Sequence, residues 1–375
     1  MRILHLIHSE GVYGAERVLL YLAREQQQRG HEPFIGSIRD PGTAQTPFEA
    51  LTTSWGLPVV PVRVAPRPTP GVVGVLLRTV RELAPDVLHS HGYKANILLG
   101  PLSRRQRGPM LATLHGQTNL RMFSRMWLYE RLDRLALRRL DAVVVVARHM
   151  LKLRALQGVA PARVHVIENG IPTLTVRLGD MSAYGVTALP KALVEFTTRR
   201  PTLMAIARLS PEKGLMQLLE AFARARALAN SQHQLLIVGS GPLRASLVSR
   251  VSALGLNDAV CLGGYVDGAD RLLEHAAGFV MSSLTEGMPL VLLEAMQWRV
   301  PILATAVGAI PELLEDGRLG RLIAPCDPVA LADGLRSLMS EDAKPEDIAG
   351  AHAVWQRYSS QRMADQYFST YGAIA

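Results

Sequence analysis

The stretch TLMAIARLSPEKGLMQLLEAFARARAL, residues 202–228, decides how the chain is read. An unbroken apolar run over 202–207 is what a strand covered on both faces requires, because helices packed above and below leave it no wet side. Pro211 and Gly214 punctuate a polar loop, and over 214–228 apolar residues return at helical spacing. Strand, loop and helix in that order make half of a parallel crossover unit. Downstream, residues 234–238, 260–262, 278–282 and 302–304 read as further strands, with a helix over 243–254. Upstream, strands are expected over 2–7, 32–37, 59–62, 87–90, 110–113, 142–146 and 164–167, with helices between them such as 14–28. Over 173–200 the pattern lapses into Pro, Gly and Thr. The expectation is an α/β chain of two doubly wound sheets: a first domain over 1–173, a linker over 174–200 and a second domain over 201–354. A terminal helix over 355–375 carries Trp355, Met363, Tyr367 and Tyr371 on one side, and it either closes the second domain or crosses back to the first.

Size and composition agree with two domains. The chain has 375 residues, 48% hydrophobic and 5% aromatic, which is a globular composition and too long for one ordinary core. The start, MRILHLIHSEG, is interrupted by His5 and His8 and lacks a small-residue cleavage site, so it reads as a buried first strand and not a signal peptide. No run is long enough to span a bilayer. Cys261 and Cys326 have no ligand-like spacing, which supports neither a disulfide framework nor a zinc site. A cytoplasmic location is the simplest expectation. The 41 basic residues exceed the 32 acidic ones, and the excess is uneven: residues 102–154 hold twelve Arg or Lys against three acids. Such a cluster either attracts an anionic partner, a membrane surface or a phosphorylated substrate ahead of nucleic acid because no stacking aromatics accompany it, or is a solvated helix face.

Chemistry-bearing residues gather where strands end. Arg208 and Lys213 follow the 202–207 run, and a forked guanidinium beside an ammonium suits a diphosphate; ordinary surface charge is the competing reading. In EGMPLVLLEA, residues 286–295, Pro289 suits the first turn of a helix, which puts Glu286 just before the helix and Glu294 inside it. At 1.5 Å per residue the two acids are roughly 10 Å apart along the axis, with unpaired N–H groups between them. A ligand with a sugar at one end, a ribose at the other and phosphates between fits this spacing, and so does a capping acid plus a salt-bridged helix residue. Spacing alone leaves the two level. VGSGPLR, residues 238–244, is half of a dinucleotide fingerprint, with Arg244 where a third glycine belongs; a tight turn explains it as well. SEGVYGAER, residues 9–17, is a second Gly-containing loop, in which Gly11 and Gly14 allow close backbone approach. His115 in ATLHG lies just after a strand and is either structural or a base. His89 and His91 in HSHG invite a metal, but no third ligand of suitable spacing is evident, and the chain has no Asp-x-Asp pair. Asn169 and Gly170 in VIENGI read as a turn closing the first domain.

Taken together, MAIARLSPEKG, LLIVGSGPLR, CLGGY and FVMSSLTEGMPLVLLEAMQWRVPILATAVGAIPELLEDGRLGRLIAPCDP resemble, in order, the retaining nucleotide-sugar-dependent glycosyltransferases of the GT-B fold, family 4, and the likeness covers nearly the whole chain. The resemblance implies two Rossmann-like domains facing across a cleft, a nucleotide-diphosphate sugar as co-substrate with no separate cofactor or metal, and a saccharide or lipid-linked acceptor held mainly by the first domain. It implies that Arg208 and Lys213 bind the diphosphate, Glu294 the ribose, and Glu286 with the main-chain N–H groups of Gly287, Met288 and Leu290 the donor sugar. Loop contacts near Gly241 and Tyr265 would meet the base, His115 would serve the reacting sugar, and Gly14 would admit the phosphate. Glu286 is then a positioning group and not a nucleophile. The family's N-terminal loop often carries paired glycines, whereas here Tyr13 precedes Gly14; Ala207 and Ala309 also replace common glycines. The basic cluster suggests docking on the inner face of the plasma membrane. A soluble acceptor, or a nucleotide-binding Rossmann protein without transferase activity, is the alternative.

Overall fold

The computed structural model describes residues 1–9, 11–64, 70–116, 125–174, 188–340 and 345–375. The chain divides into two compact units, Met1–Gly185 with Tyr358–Ala375, and Val186–Arg357. In the first, seven strands are all parallel: β1 (Arg2–Ile7), β2 (Glu32–Arg39), β3 (Val59–Arg63), β4 (Val87–Ser90), β5 (Met110–Leu114), β6 (Ala142–Val145) and β7 (Val164–Val166), in the order β3-β2-β1-β4-β5-β6-β7. The second holds β8 (Thr202–Ile206), β9 (Gln234–Val238), β10 (Val260–Gly264), β11 (Gly278–Met281), β12 (Ile302–Thr305) and β13 (Arg321–Ile323), in the order β10-β9-β8-β11-β12-β13, again all parallel. Both are doubly wound, and in each the order reverses beside the first strand, between β1 and β4 and between β8 and β11. In such sheets the crevice at the carboxyl ends of those strands is where ligands bind.

The second sheet is covered by helices because its strands are apolar on both faces. Leu203, Ala205, Leu235 and Ile237 are essentially inaccessible and pack with Leu218, Leu219 and Phe222 of the helix Leu215–Leu228 and with Leu331 and Leu335 of the helix Pro328–Met339. Burying each such Leu or Phe contributes about 1.5–3 kcal/mol.

Three expectations are corrected. The segment taken as linker, 174–200, contains the helix Lys191–Arg199, which belongs to the second unit. It is nine residues long with only Leu193 and Thr197 buried, and the sequence before it, rich in Gly, Thr and Pro, masks where it starts. The tail does not form one helix from Trp355: that residue ends the helix Pro345–Trp355, and the last helix runs Ser360–Ile374, its first turn capped by the Ser359 hydroxyl accepting from the Arg362 N–H at 3.2 Å. β13 was not expected; it is three residues long, with Arg321 exposed.

The last helix belongs to the first unit and packs on the helix Gly14–Gln28. The Ser360 hydroxyl donates to Glu25 at 2.6 Å in the buried interface, and Arg29 pairs with Asp365. Gly170 and Ile171 form its socket. Ile171 N–H donates to Tyr358 O at 2.9 Å, and Ser360 N–H donates to Ile171 O at 3.0 Å. A Cβ at Gly170 would lie 2.2 Å from the Ser359 carbonyl oxygen, so the glycine read as a closing turn is what lets the returning chain dock.

Candidate active site

In the second unit the switch point gathers residues from three loops. Arg208 stands exposed two residues beyond β8, and the following turn carries Lys213. That turn is held against the end of β11. Ser282 Oγ donates to Lys213 O at 2.9 Å, and Leu284 N–H donates to Glu212 O at 2.8 Å. Gly214 sits at φ +62°, and a Cβ there would fall 2.1 Å from Ser282 O. The consequence is a fixed ammonium: Lys213 Nζ lies 2.6 Å from Glu286 Oε1, with the two side chains 21% and 9% exposed. Ser283 Oγ donates to the same Glu286 oxygen at 2.6 Å, and Thr305 Oγ1 donates to Ser283 O.

Pro289 is the N-cap of the helix Leu290–Gln297, one residue earlier than its expected place in the first turn, with φ −76° and ψ 121°. No side chain among the described residues caps this helix. Met288 and Leu290 bury their side chains, so what they can offer a ligand is main-chain N–H. Glu294 lies inside the helix and is 5% exposed. The Gly-Ser-Gly turn packs against the Arg208 loop: Leu209 N–H donates to Ser240 O at 2.8 Å, and a Cβ at Gly241, φ +156°, would be 2.5 Å from Leu209 O. Close backbone packing therefore accounts for that glycine. Tyr265 follows β10 and is 47% exposed. A depression of about 620 Å³ in this unit, lined by Pro201, His233 and Arg336, lies by the residues that precede β8 and β9, at the wrong end of the sheet for this chemistry.

In the first unit, Gly14 begins the helix Gly14–Gln28, and a Cβ there would meet nothing within 4 Å among the described residues. Packing does not require glycine at that position. Tyr13 is 36% exposed, its N–H donates to Glu16 at 3.0 Å, and its ring lies over Gly11. His115 follows β5, where its Nε2 is 3.0 Å from His91 Nδ1. The third imidazole that the HSHG reading lacked is His5, brought beside His89 by the β1–β4 register. Ring nitrogens of His5, His89 and His91 lie within 4.8 Å of one another. All six are engaged: His5 with His91 and Gln26, His89 with Tyr371 and Thr113, His91 with His5 and His115. A metal ion would have to break those bonds. Burial pushes His5 and His115 down to about 4 and holds His89 and His91 well below the usual imidazole range, so all four are neutral at pH 7.

The basic cluster is partly structural. Arg107 is 2% exposed and bonds Asp141 at 2.8 Å; Arg104 donates to Ile374 O, Arg138 to Gln157 O and Arg139 to Pro101 O. Arg105, Arg131, Arg148, Lys152 and Arg154 are exposed, among the exposed apolar residues Leu128, Leu135 and Leu151; Arg121 lies outside the described residues. No helix among the described residues is long and apolar enough to cross a membrane.

The resemblance set Lys213 and Glu286 on one donor but not in contact with each other, and nothing in the sequence joins His5 to His91. Ser283, three residues before Glu286, carried the one local signal.

Comparison with known proteins gives this arrangement its class. Residues 191–353 match the family described as Glycosyl transferases group 1, and residues 12–173 match Glycosyltransferase Family 4. The chain belongs to this GT-B glycosyltransferase family. Among its relatives, the N-acetyl-alpha-D-glucosaminyl L-malate synthase of Bacillus anthracis is 26% identical over 76% of this chain and 74% of its own. The phosphatidyl-myo-inositol mannosyltransferase of Mycobacterium leprae is 29% identical over 77% and 74%. The structure of Anabaena HepE in complex with UDP-glucose superposes with a TM-score of 0.79, at 22% identity and full coverage of both chains. The chain is a glycosyltransferase of nucleotide sugars.

Proposed function

We propose that this glycosyltransferase retains anomeric configuration and works without a metal, moving a hexose-type sugar from a nucleotide diphosphate to a saccharide or lipid-linked acceptor in surface polysaccharide or lipopolysaccharide assembly. The observation that carries this reading is the 2.6 Å contact of Lys213 and Glu286 at the carboxyl edge of the second sheet. A cation and an anion that satisfy one another without ligand can part to serve different portions of one donor: Lys213, with Arg208, takes the diphosphate, and Glu286 takes sugar hydroxyls. The N–H groups of Gly287, Met288 and Leu290 add donors to the sugar, Glu294 holds the ribose, and the loops at Gly241 and Tyr265 face the base. The first unit binds the acceptor, Gly14 admits the phosphate, and His115 serves a sugar hydroxyl.

In the transfer, the acceptor oxygen attacks the anomeric carbon on the face from which the phosphate departs. The bond from that carbon to the phosphate oxygen breaks, and the leaving phosphate takes the hydroxyl proton. Arg208 and Lys213 stabilise the charge that grows on it, which is where fixed cations accelerate a reaction. Neither Glu286 nor Glu294 forms a bond to the sugar, unlike the nucleophile of retaining glycosidases.

A screen of UDP, GDP and ADP sugars against saccharide and lipid-linked acceptors, read by product mass and anomeric coupling, tests the reading. A retained product formed in EDTA is expected; an inverted product, or turnover abolished by EDTA, contradicts it. Leu128, Leu135 and Leu151 among exposed Arg and Lys support docking on anionic bilayers. Sedimentation with anionic but not neutral liposomes is the expected outcome, and equal sedimentation removes the membrane from the account. A soluble acceptor is the second reading, favoured by the relative named for L-malate.

A further inference from the structure

The buried histidines of the first unit form a chain with a direction. Gln26 Oε1 lies 2.8 Å from His5 Nε2, His5 Nδ1 lies 3.0 Å from His91 Nε2, and His91 Nδ1 lies 3.0 Å from His115 Nε2. A neutral imidazole has one N–H and one lone pair, so fixing the proton on one ring fixes it on the next. Two senses satisfy the inner bonds. In the first, His5, His91 and His115 all carry their proton on Nε2 and the series ends on the Gln26 carbonyl oxygen. In the second, all three carry it on Nδ1 and the Gln26 amide is turned over.

The far end decides between them. His115 Nδ1 is buried and has no hydrogen-bond partner among the described residues. The second sense would leave an N–H there, and an orphaned buried donor is the rarer and costlier fault; the first leaves only a lone pair. The other branch agrees. Gln26 Nε2 donates to Tyr371 Oη at 3.3 Å, leaving the tyrosine hydroxyl to donate to His89 Nδ1 at 2.6 Å and His89 Nε2 to donate to Thr113 Oγ1 at 2.8 Å. Burial keeps these imidazoles neutral, which the alternation requires.

We propose that Gln26, His5 and His91 are positioning residues that hold His115 as its neutral Nε2–H tautomer, so that its Nδ1 meets substrate as a hydrogen-bond acceptor for a sugar hydroxyl and not as a proton donor. The substrate half of this inference rests on the glycosyltransferase reading; the tautomer half does not.

The test is a long-range ¹⁵N–¹H spectrum of the full chain labelled in histidine, assigned by single His→Asn substitutions, alongside kinetics of His91→Leu and His91→Asn. Protonated Nε2 and bare Nδ1 are expected at His5, His91 and His115. His91→Leu, which removes the acceptor for His115, is expected to give a mixed His115 tautomer and to lower kcat on the order of tenfold or more, with little change in donor KM. The amide oxygen introduced by His91→Asn can still accept from His115 Nε2, so that variant is expected to recover both the single tautomer and most of kcat. A proton on His115 Nδ1 in the wild-type protein overturns the proposal even if the Leu variant fails to fold. One equivalent of zinc, nickel or copper kept by the wild type and lost by His89→Asn overturns it too, since a ligated nitrogen leaves the chain. If no sugar donor is turned over at all, the transferase reading falls while the tautomer pattern still decides the relay.

Discussion

Lys213 Nζ and Glu286 Oε1 lie 2.6 Å apart at the carboxyl edge of the second sheet. Removing the ammonium takes away charge where the leaving diphosphate develops it, and removing the carboxylate leaves the sugar without an anchor. Lys213→Ala and Glu286→Gln are each expected to lower kcat about 100-fold or more while thermal unfolding stays close to wild type, a loss typical of a group acting on transition-state charge. Steady-state rates beside melting curves check this; wild-type rates in both variants contradict the assignment. The places of Lys213 after a strand and of Glu286 before a helix were legible in the sequence. Their mutual geometry was not, because it depends on Gly214 letting the Lys213 turn approach Ser282.

At the scale of elements, two substitutions probe how loops and helices are pinned. Gly214→Ala puts a side chain at φ +62° and 2.1 Å from a carbonyl oxygen, and a loss of about 2 kcal/mol or more is expected. Tyr371→Phe removes the hydroxyl that joins Gln26 to His89 across the last helix. Two buried polar groups are stranded, and about 1–3 kcal/mol should be lost. Denaturant midpoints measure both; losses below about 0.5 kcal/mol, the range of neutral surface changes, contradict the packing described. The strands were legible because buried parallel strands are continuous apolar runs, as in Leu235 to Val238. The helix Lys191–Arg199, nine residues after a stretch rich in Gly, Thr and Pro, was not, nor was three-residue β13. The last helix was visible as an amphipathic tail, but its destination was set by the Gly170 socket and by Glu25, which no local pattern encodes.

The whole chain should answer to pH through its buried imidazoles. His5 and His115 fall from 6.5 to about 4 on folding, and His89 and His91 fall well below 6.5, so between pH 6.5 and about 4 the unfolded chain binds protons that the folded chain refuses. Stability is then fully present above pH 6.5 and is lost as pH drops, by at most about 1.4 kcal/mol per pH unit for each such group. Asp133 acts the other way: burial raises it from 3.8 to about 6, and its contribution weakens as pH rises through that window. One acid does not offset four histidines, so the denaturant midpoint should fall between pH 7 and pH 5, and an unchanged midpoint contradicts neutral burial. The two doubly wound sheets were legible from strand and helix alternation alone, whereas the histidine chain emerged only once the strand order set β1 beside β4. What the two units do together is tested most directly by thermal shift of the wild-type chain and Lys213→Ala against UDP, GDP and ADP sugars and NAD. The account predicts that at least one nucleotide sugar raises the wild-type midpoint, that Lys213→Ala loses the rise, and that NAD has no effect; a response to NAD alone contradicts it.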